Sequence, residues 1–259
     1  MRLTDVLYEK RNKTAWVTLD RPQSLNAITP DMIRSVRTAA EAAAGDMNVE
    51  ALVITGSGRG FCAGADIRVM SNADLESFRE FLVLLTDVWT FIRTFPKPTM
   101  AAINGVAVGA GFELTLVCDL RIAASTASIG SAELLINQPM TNASTYLLAR
   151  LVGEAKAKEL GMTGDTIPAE EAARIGLVNA VVEPTELQRE VEQLLGRIGS
   201  RGPLSVAAVK KCFALNRDVD IDTAIMVENE AATACFVSQD QREGLRAFLE
   251  KRTPQWAGR

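Results

Sequence analysis

One unit occurs twice in the sequence and constrains the fold more than any other feature. A short apolar run at residues 51–55 leads into a glycine-rich turn at 56–66, and a run at 99–103 leads into a similar turn at 104–111. Apolar runs of this length without polar alternation are typical of strands covered on both faces. A helical pattern follows each turn. Strands that alternate with helices in this way predict an α/β fold.

Local signals place further elements around this unit. Residues 14–19 form another strand pattern. Thr29 suits a helix N-cap, Pro30 the first helical position and Asp31 the first turn, so a helix is expected to begin there. Residues 120–124 predict one more buried strand.

The last third of the chain is predominantly helical. No strand alternation is evident after residues 181–182, and Gly or Pro separates successive helical patterns. These patterns cover residues 154–161, 168–176, 184–198, 203–216, 221–237 and 239–251. We predict an α/β core over residues 1–190 and a helical region over residues 191–259.

Composition excludes several classes of protein. The 259-residue chain has no histidine, which excludes Ser-His-Asp and Cys-His catalysis and metal sites that need imidazole. With 28 basic and 32 acidic residues the net charge is −4, so no broad basic field exists for nucleic acid or an anionic membrane. The four cysteines are far apart, as in a reducing compartment, and no signal or spanning segment is evident. We therefore predict a cytoplasmic protein without a metal site.

The glycine-rich turns are candidates for ligand binding. The first lacks the third glycine of a dinucleotide-binding fingerprint, where Phe61 stands instead, and no P-loop or nucleophile elbow occurs. Small residues after buried strands allow a ligand to approach the main chain and leave N–H groups pointing outward. Two such groups facing one point would form an oxyanion hole. The alternative is that the glycines serve only tight strand-to-helix turns.

Two glutamates in apolar surroundings are candidates for acid–base chemistry. Glu113 lies in a helix that is apolar nearly all round, where a buried carboxylate is costly unless it is paired or functional. Arg121 or Lys97 is an alternative, purely structural partner for it. Glu133 is also flanked by apolar residues, although a half-exposed loop position is its alternative. Two carboxylates at one pocket would suit proton transfer to and from water.

Several further motifs occur in a fixed order along nearly the whole chain. They are residues 21–27, 61–67, 97–105, 109–114, 118–123, 151–153, 169–172, 176–179 and 248–252. In this order they resemble the crotonase (enoyl-CoA hydratase/isomerase) superfamily. The resemblance implies a superhelix of β-β-α repeats with a helical C-terminal trimerisation region, assembled as trimers or as hexamers that pair two trimers.

The resemblance also implies roles for individual residues. The backbone N–H groups of Ala63 and Ala110 would form the oxyanion hole for a thioester carbonyl. Glu113 and Glu133 would be the catalytic pair of a hydratase, with no cofactor beyond the coenzyme A of the substrate. The residues implied to contact the substrate or coenzyme A are Ser24, Leu25, Ala27, Ala63, Gly64, Ala65, Asp66, Ile67, Gly109, Thr141 and Lys251. For Lys251, a phosphate contact and a solvated helix-end lysine are alternatives.

Residues 137–144 depart from the pattern of a typical hydratase. Thr141 stands where such an enzyme has a glycine beside the catalytic water. A side chain at this position makes the pocket narrower or changes its polarity. Three functions are therefore considered: hydration of a trans-2-enoyl-CoA to a 3-hydroxyacyl-CoA, double-bond isomerisation, and acyl-CoA binding without catalysis. The two retained glutamates favour hydration.

The C-terminal helices carry more apolar residues than a solvated helix needs. In residues 221–236 these residues are spread over much of the helix circumference, which predicts contacts on more than one side. A homo-oligomer would cover the second side. The alternative is a monomer in which the neighbouring helices 203–216 and 239–251 enclose this one.

Overall fold

The computed structural model describes residues 1–259 and contains eleven strands and eleven α-helices. The strands are β1 Arg2–Leu3, β2 Val6–Arg11, β3 Thr14–Leu19, β4 Ala51–Gly56, β5 Gly60–Cys62, β6 Thr99–Ile103, β7 Val106–Val108, β8 Leu120–Ala124, β9 Ser128–Gly130, β10 Thr166–Pro168 and β11 Ala180–Val182. The helices are α1 Pro30–Gly45, α2 Ile67–Met70, α3 Leu75–Arg93, α4 Ala110–Val117, α5 Ser144–Val152, α6 Glu154–Thr163, α7 Ala169–Arg174, α8 Leu187–Gly199, α9 Pro203–Leu215, α10 Ile221–Phe236 and α11 Gln239–Leu249. The predicted α/β class is confirmed.

The strands form two sheets that the chain visits in turn. The larger sheet has the order β1-β2-β3-β4-β6-β8-β11, parallel from β3 onward, and the smaller has the order β10-β9-β7-β5. Strands β4, β6 and β8 of the larger sheet are each followed by a strand of the smaller sheet, namely β5, β7 and β9. A helix follows each pair, which gives the β-β-α repeat of the predicted superhelix.

The smaller sheet was not predicted. Both glycine-rich turns were expected to run directly from strand to helix, but each contains a three-residue strand, β5 or β7. Strands of three residues are too short to show a periodicity in the sequence.

Local signals explain why the remaining elements begin where they do. The predicted strands at 14–19, 51–55, 99–103 and 120–124 are confirmed as β3, β4, β6 and β8. Helix α1 begins as predicted, since the Thr29 hydroxyl accepts a hydrogen bond from the Met32 N–H at 3.2 Å and Pro30 occupies the first position. The predicted helices after residue 154 are present as α6 to α11, with ends that differ by a few residues.

The chain divides into two compact units. The first comprises residues 1–95 and 99–192, and the second residues 96–98 and 193–259. In the first unit, all eight residues of α4 are buried, and α4 contacts strands of both sheets. This placement explains why the α4 sequence is apolar nearly all round.

No helix is both long and apolar enough to cross a membrane.

Candidate active site

The two glycine-rich turns meet at Gly64 and Gly109. Gly109 precedes α4 with φ 58° and ψ −134°, a conformation that favours glycine, and Gly64 has φ 90°. A Cβ atom on Gly109 would lie 3.3 Å from Gly64 Cα, and one on Gly64 would lie 3.6 Å from the Ala110 nitrogen. The glycines therefore permit a close approach of two main-chain segments that lie 45 residues apart in sequence.

The predicted oxyanion role of Ala63 is wrong in this structure. The Ala63 N–H donates to the Leu25 carbonyl at 2.9 Å and is not available to a ligand. Ala65 lies two residues later and forms a parallel β-bridge with Ile28. In this bridge the Ile28 N–H donates to the Gly64 carbonyl, and the Asp66 N–H donates to the Ile28 carbonyl. The Ala65 N–H donates no hydrogen bond in this arrangement.

At the second turn, the oxyanion role of Ala110 stays a prediction. Ala110 is the first residue of α4, so its N–H has no acceptor within the helix and lies at the positive end of the helix dipole. The structure thus offers the N–H groups of Ala65 and Ala110, on either side of the Gly64–Gly109 contact, as a pair of open donors.

A buried asparagine holds the predicted coenzyme A segment in place. Asn26 is fully buried, and its Nδ2 donates to the carbonyls of Gly60 at 2.8 Å and Ser57 at 3.0 Å, and to a third carbonyl at 3.2 Å. Its Oδ1 accepts from the Arg21 N–H at 2.8 Å. Leu25 and Asn26 both have positive φ, 50° and 58°, so the chain turns sharply here. These bonds fix residues 24–27 beside the loop that leads into β5.

Arg21 is the second residue that ties this segment to the first turn. Its Nη1 donates to the Ala27 carbonyl at 2.6 Å, and its Nη2 pairs with Asp66 Oδ2 at 3.0 Å. The Asp66 carboxylate also caps α2 by accepting from the Arg68 N–H at 3.0 Å. The sequence motif contained Arg21 and Asn26, but nothing in their spacing identified them as the residues that position the segment.

The other predicted contact residues lie in differing surroundings. The Ser24 hydroxyl donates to the Arg21 carbonyl at 3.2 Å, and the Ala27 N–H donates to the Ser24 carbonyl at 3.0 Å. Ile67 is exposed at the start of α2. Lys251 follows α11 in the second unit, with φ 54° and an exposed side chain, and its predicted phosphate contact stays a prediction.

Glu113 is buried at 1% exposure, and neutral groups satisfy it. Its Oε1 accepts from the Thr141 N–H at 2.6 Å and from the Thr141 hydroxyl at 2.9 Å, and its Oε2 accepts from Asn142 Nδ2 at 2.6 Å. The predicted alternative of an Arg121 partner is wrong, because that guanidinium donates to backbone carbonyls of residues 115, 118, 119 and 177. Lys97, the other predicted alternative, is not among the groups that donate a hydrogen bond to Glu113.

Burial and hydrogen bonding act in opposite directions on Glu113. Burial raises the pKa of this carboxyl above its usual value, and the negative charge of Glu133 adds to the rise. The hydrogen bonds from Asn142 and Thr141 lower the pKa and offset part of this effect. The resulting pKa is higher than that of a solvated glutamate, as suits a group that exchanges a proton during turnover.

Glu133 approaches the same turn from another segment. It begins a 3₁₀ turn over Glu133–Ile136, and its Oε2 accepts from the Ser131 hydroxyl at 2.6 Å. Its Oε1 is buried and has no hydrogen-bond partner, and a Cβ atom on Gly109 would lie 3.7 Å from that oxygen. The structure therefore brings Glu113, Glu133 and the N-terminus of α4 together around Gly109.

The departing loop at 137–144 contains several residues with positive φ. Asn137, Asn142 and Ala143 have φ of 59°, 53° and 61°. Non-glycine residues seldom adopt this conformation, although asparagine tolerates it best. The loop therefore keeps a sharply turned path while it presents the Thr141 and Asn142 side chains to Glu113.

A cavity of about 1270 Å³ adjoins the same loop. Its lining is largely apolar and includes Leu134, Pro139, Met140, Tyr146 and Met162. Neither Glu113 nor Glu133 is among its lining residues. Sequence reasoning did not predict it.

Comparison with known proteins gives a consistent result. A family model described as enoyl-CoA hydratase/isomerase matches residues 9–259. The chain is 44% identical over 253 residues to crotonyl-CoA hydratase of Syntrophomonas wolfei, and 39% identical over 253 residues to short-chain-enoyl-CoA hydratase of Clostridium acetobutylicum; each alignment covers 97% of both chains. The crystal structure of enoyl-CoA hydratase from Bacillus anthracis superposes with a TM-score of 0.96 at 32% identity, covering 99% of this chain and 100% of that one. With this agreement in sequence and fold, the chain belongs to the enoyl-CoA hydratase/isomerase family.

Proposed function

We propose that the chain is an enoyl-CoA hydratase that adds water to a trans-2-enoyl-CoA. The observation that carries this proposal is the convergence of two carboxylates, Glu113 and Glu133, on the turn at Gly109, beside the open N–H groups of Ala65 and Ala110. The names of the relatives, crotonyl-CoA hydratase and short-chain-enoyl-CoA hydratase, support a substrate with a short acyl chain.

We assign a separate task to each group. The thioester oxygen accepts from Ala65 and Ala110, which draws electrons from the C2–C3 double bond and stabilises the enolate charge that develops there. Glu113 accepts a proton from water as the water oxygen bonds to C3. Its hydrogen-bond partners are all donors, which favours the ionised form needed for this step.

Glu133 completes the addition at the other carbon. Its Oε1 has no partner within the protein, so a proton held there is free to move to C2 as the π bond breaks. The product is a 3-hydroxyacyl-CoA. The proton gained by Glu113 and the one lost by Glu133 balance, and exchange with solvent restores both carboxyls for the next turnover.

Isomerisation is the second candidate, and Thr141 is the observation that favours it. The Thr141 hydroxyl is bonded to Glu113 Oε1 and fills one acceptor site at which the carboxylate could otherwise bind water. An isomerase needs no water there, because one carboxylate can move a proton between two carbons of the acyl chain.

The test is product analysis with the purified chain. With crotonyl-CoA we expect 3-hydroxybutyryl-CoA, detected by mass spectrometry and by loss of the enoyl thioester absorbance. With a 3-enoyl-CoA, formation of the 2-enoyl isomer without hydration of crotonyl-CoA would replace the hydratase proposal by the isomerase. Tight coenzyme A binding without turnover of either substrate would identify a non-catalytic acyl-CoA binder.

We also propose a homotrimer or a hexamer of two trimers as the working form. In the second unit, α10 carries Ile221, Met226 and Phe236 at 76%, 67% and 67% exposure. Exposed apolar residues in this number favour an interface with another copy of the chain. Light scattering coupled to size-exclusion chromatography tests this, since a mass near 28 kDa would contradict it.

The remaining predictions are retained as proposals. We expect an α/β core over residues 1–190 and a helical oligomerisation region over residues 191–259, a cytoplasmic location, and no cofactor beyond the coenzyme A of the substrate. The structure records all four cysteines as free thiols, which supports a reducing compartment.

A further inference from the structure

We propose that Thr141 and Asn142 are positioning residues that hold Glu113 ionised and in one orientation, as a clamp specific to this loop sequence. The proposal rests on the proposed function, because it assigns to Glu113 the proton transfer from water. The clamp consists of the Thr141 N–H, the Thr141 hydroxyl and the Asn142 amide nitrogen, which together donate three hydrogen bonds to one buried carboxylate.

The orientation of the Asn142 amide is fixed from its other end. The Thr86 hydroxyl donates to Asn142 Oδ1 at 2.8 Å, so Nδ2 is the atom that faces Glu113. The same nitrogen donates to the Thr141 hydroxyl oxygen at 2.8 Å. With that bond accepted, the Thr141 hydroxyl is oriented to donate to Glu113 Oε1. The network therefore has one direction, from Thr86 and Asn142 through Thr141 to Glu113.

This direction favours the ionised form of the carboxylate over the acid. A backbone N–H and an amide NH₂ can only donate, so three acceptor sites of the carboxylate are closed to a proton unless the Thr141 hydroxyl reverses. Each of these donors also bonds more strongly to the charged carboxylate than to the neutral acid. A carboxylate has about four acceptor sites, and the clamp fills three of them. The remaining site, on Oε2, is left for one water and for the proton that this water gives up.

No cation helps to keep Glu113 ionised. Strands β6 and β7, which pack against α4, carry no titratable side chain, and β5 carries Cys62, whose pKa burial raises to about 12. The acidic and basic residues of α3 and α5 are exposed, apart from half-buried Arg93. The charge that Glu133 carries when it is ionised has a smaller effect than burial, and it also opposes the ionisation of Glu113. The neutral donors are therefore the groups that counter burial.

The test is the pH dependence of crotonyl-CoA hydration in clamp variants. Thr141→Val removes the hydroxyl at nearly constant volume, Asn142→Leu removes the amide, and Asn142→Asp places a second negative charge against Glu113. The acidic limb of kcat/KM reports ionisation in the free enzyme. We expect it to move to higher pH by about one unit in Thr141→Val and Asn142→Leu, and further in Asn142→Asp, since hydrogen bonds to charged groups are worth about that much.

Two controls distinguish positioning from general damage. Thr141→Ser keeps the hydroxyl, so the acidic limb of its kcat/KM profile should lie at the same pH as in the native protein. Thr90→Val removes an exposed threonine hydroxyl from α3, outside the network, and should leave the limb unchanged. A purely structural role for the clamp would lower kcat without moving the limb.

An infrared titration separates failure of the clamp from failure of the function. The carboxylic-acid stretch of Glu113, assigned by its loss in Glu113→Gln, should appear at higher pH in Thr141→Val and Asn142→Leu than in the native protein. If that shift occurs while the native chain hydrates no enoyl-CoA, the clamp stands and the hydratase proposal fails. If the native chain hydrates crotonyl-CoA but neither the limb nor the infrared titration moves, the clamp is refuted.

Discussion

Replacing Gly111 by alanine tests how closely α4 packs against β5. A Cβ atom at this position would lie 2.4 Å from the Cys62 carbonyl oxygen and 2.6 Å from Cys62 Cβ. Both distances are far below van der Waals contact, and the oxygen belongs to the backbone of β5, so α4 or β5 must shift. Overpacking of this kind costs about 1–3 kcal/mol, and backbone contact places this case at the upper end.

The net effect follows from two opposing contributions. Alanine in a helix is favoured over glycine by about 1 kcal/mol, so the expected net loss of stability for Gly111→Ala is about 2 kcal/mol. For a chain of this size that corresponds to a fall in Tm of roughly 4–8 °C. Because α4 carries Ala110 and Glu113, its displacement should also lower kcat, by up to about 10²-fold for a shift near 1 Å.

Gly45→Ala is the matched control. Gly45 is the last residue of α1 and is exposed, and a Cβ atom there would meet nothing within 4 Å. The same substitution should leave stability unchanged or raise it by up to about 1 kcal/mol, with unaltered turnover. Thermal denaturation of both variants decides the matter. If the Tm of Gly111→Ala is no lower than that of Gly45→Ala, the close packing of α4 against β5 is refuted.

Three further outcomes are expected. Asn26→Leu should lower the free energy of unfolding by about 3 kcal/mol or more in urea titrations, since it leaves buried carbonyls and the Arg21 N–H without partners; unaltered stability would contradict this. Cys62, whose pKa burial raises to about 12, should resist alkylation in the folded protein at mildly alkaline pH, as read by mass spectrometry, and react once denaturant is added. Arg252 holds the pKa of Glu243 at about 2, so their pairing stabilises the fold above the usual pKa of a glutamate and is lost as pH falls toward 2; urea unfolding at acidic pH should show a weaker pH dependence in Arg252→Ala.

Sequence patterns sufficed for the elements whose causes are local. Strand β3 and helix α1 follow from an apolar run and from the Thr29 cap with Pro30, and both were predicted nearly to the residue. Strands β5, β7 and β9 depend on pairing with one another across long stretches of chain, and three residues carry no pattern. These strands are therefore evident only in the three-dimensional structure.

The site shows the same division between local and distant causes. Glu113 stood out because a carboxylate in an apolar helix is anomalous, and the structure confirms its burial. The bond from Ala63 to Leu25 joins residues 38 apart, so the sequence could not show that this N–H is occupied. The loop at 137–144 was recognised as unusual, but the bonds from Thr141 and Asn142 to Glu113 depend on the path of a loop 28 residues away.

The central claim is that both carboxylates act in the addition of water, and single amide variants test it most directly. We expect Glu113→Gln and Glu133→Gln each to lower kcat for crotonyl-CoA hydration by roughly 10²–10⁴-fold, the usual contribution of a general acid or base. Glu76→Gln, an exposed glutamate on α3, should retain the native rate. Native turnover in a folded Glu113→Gln or Glu133→Gln protein would contradict the claim.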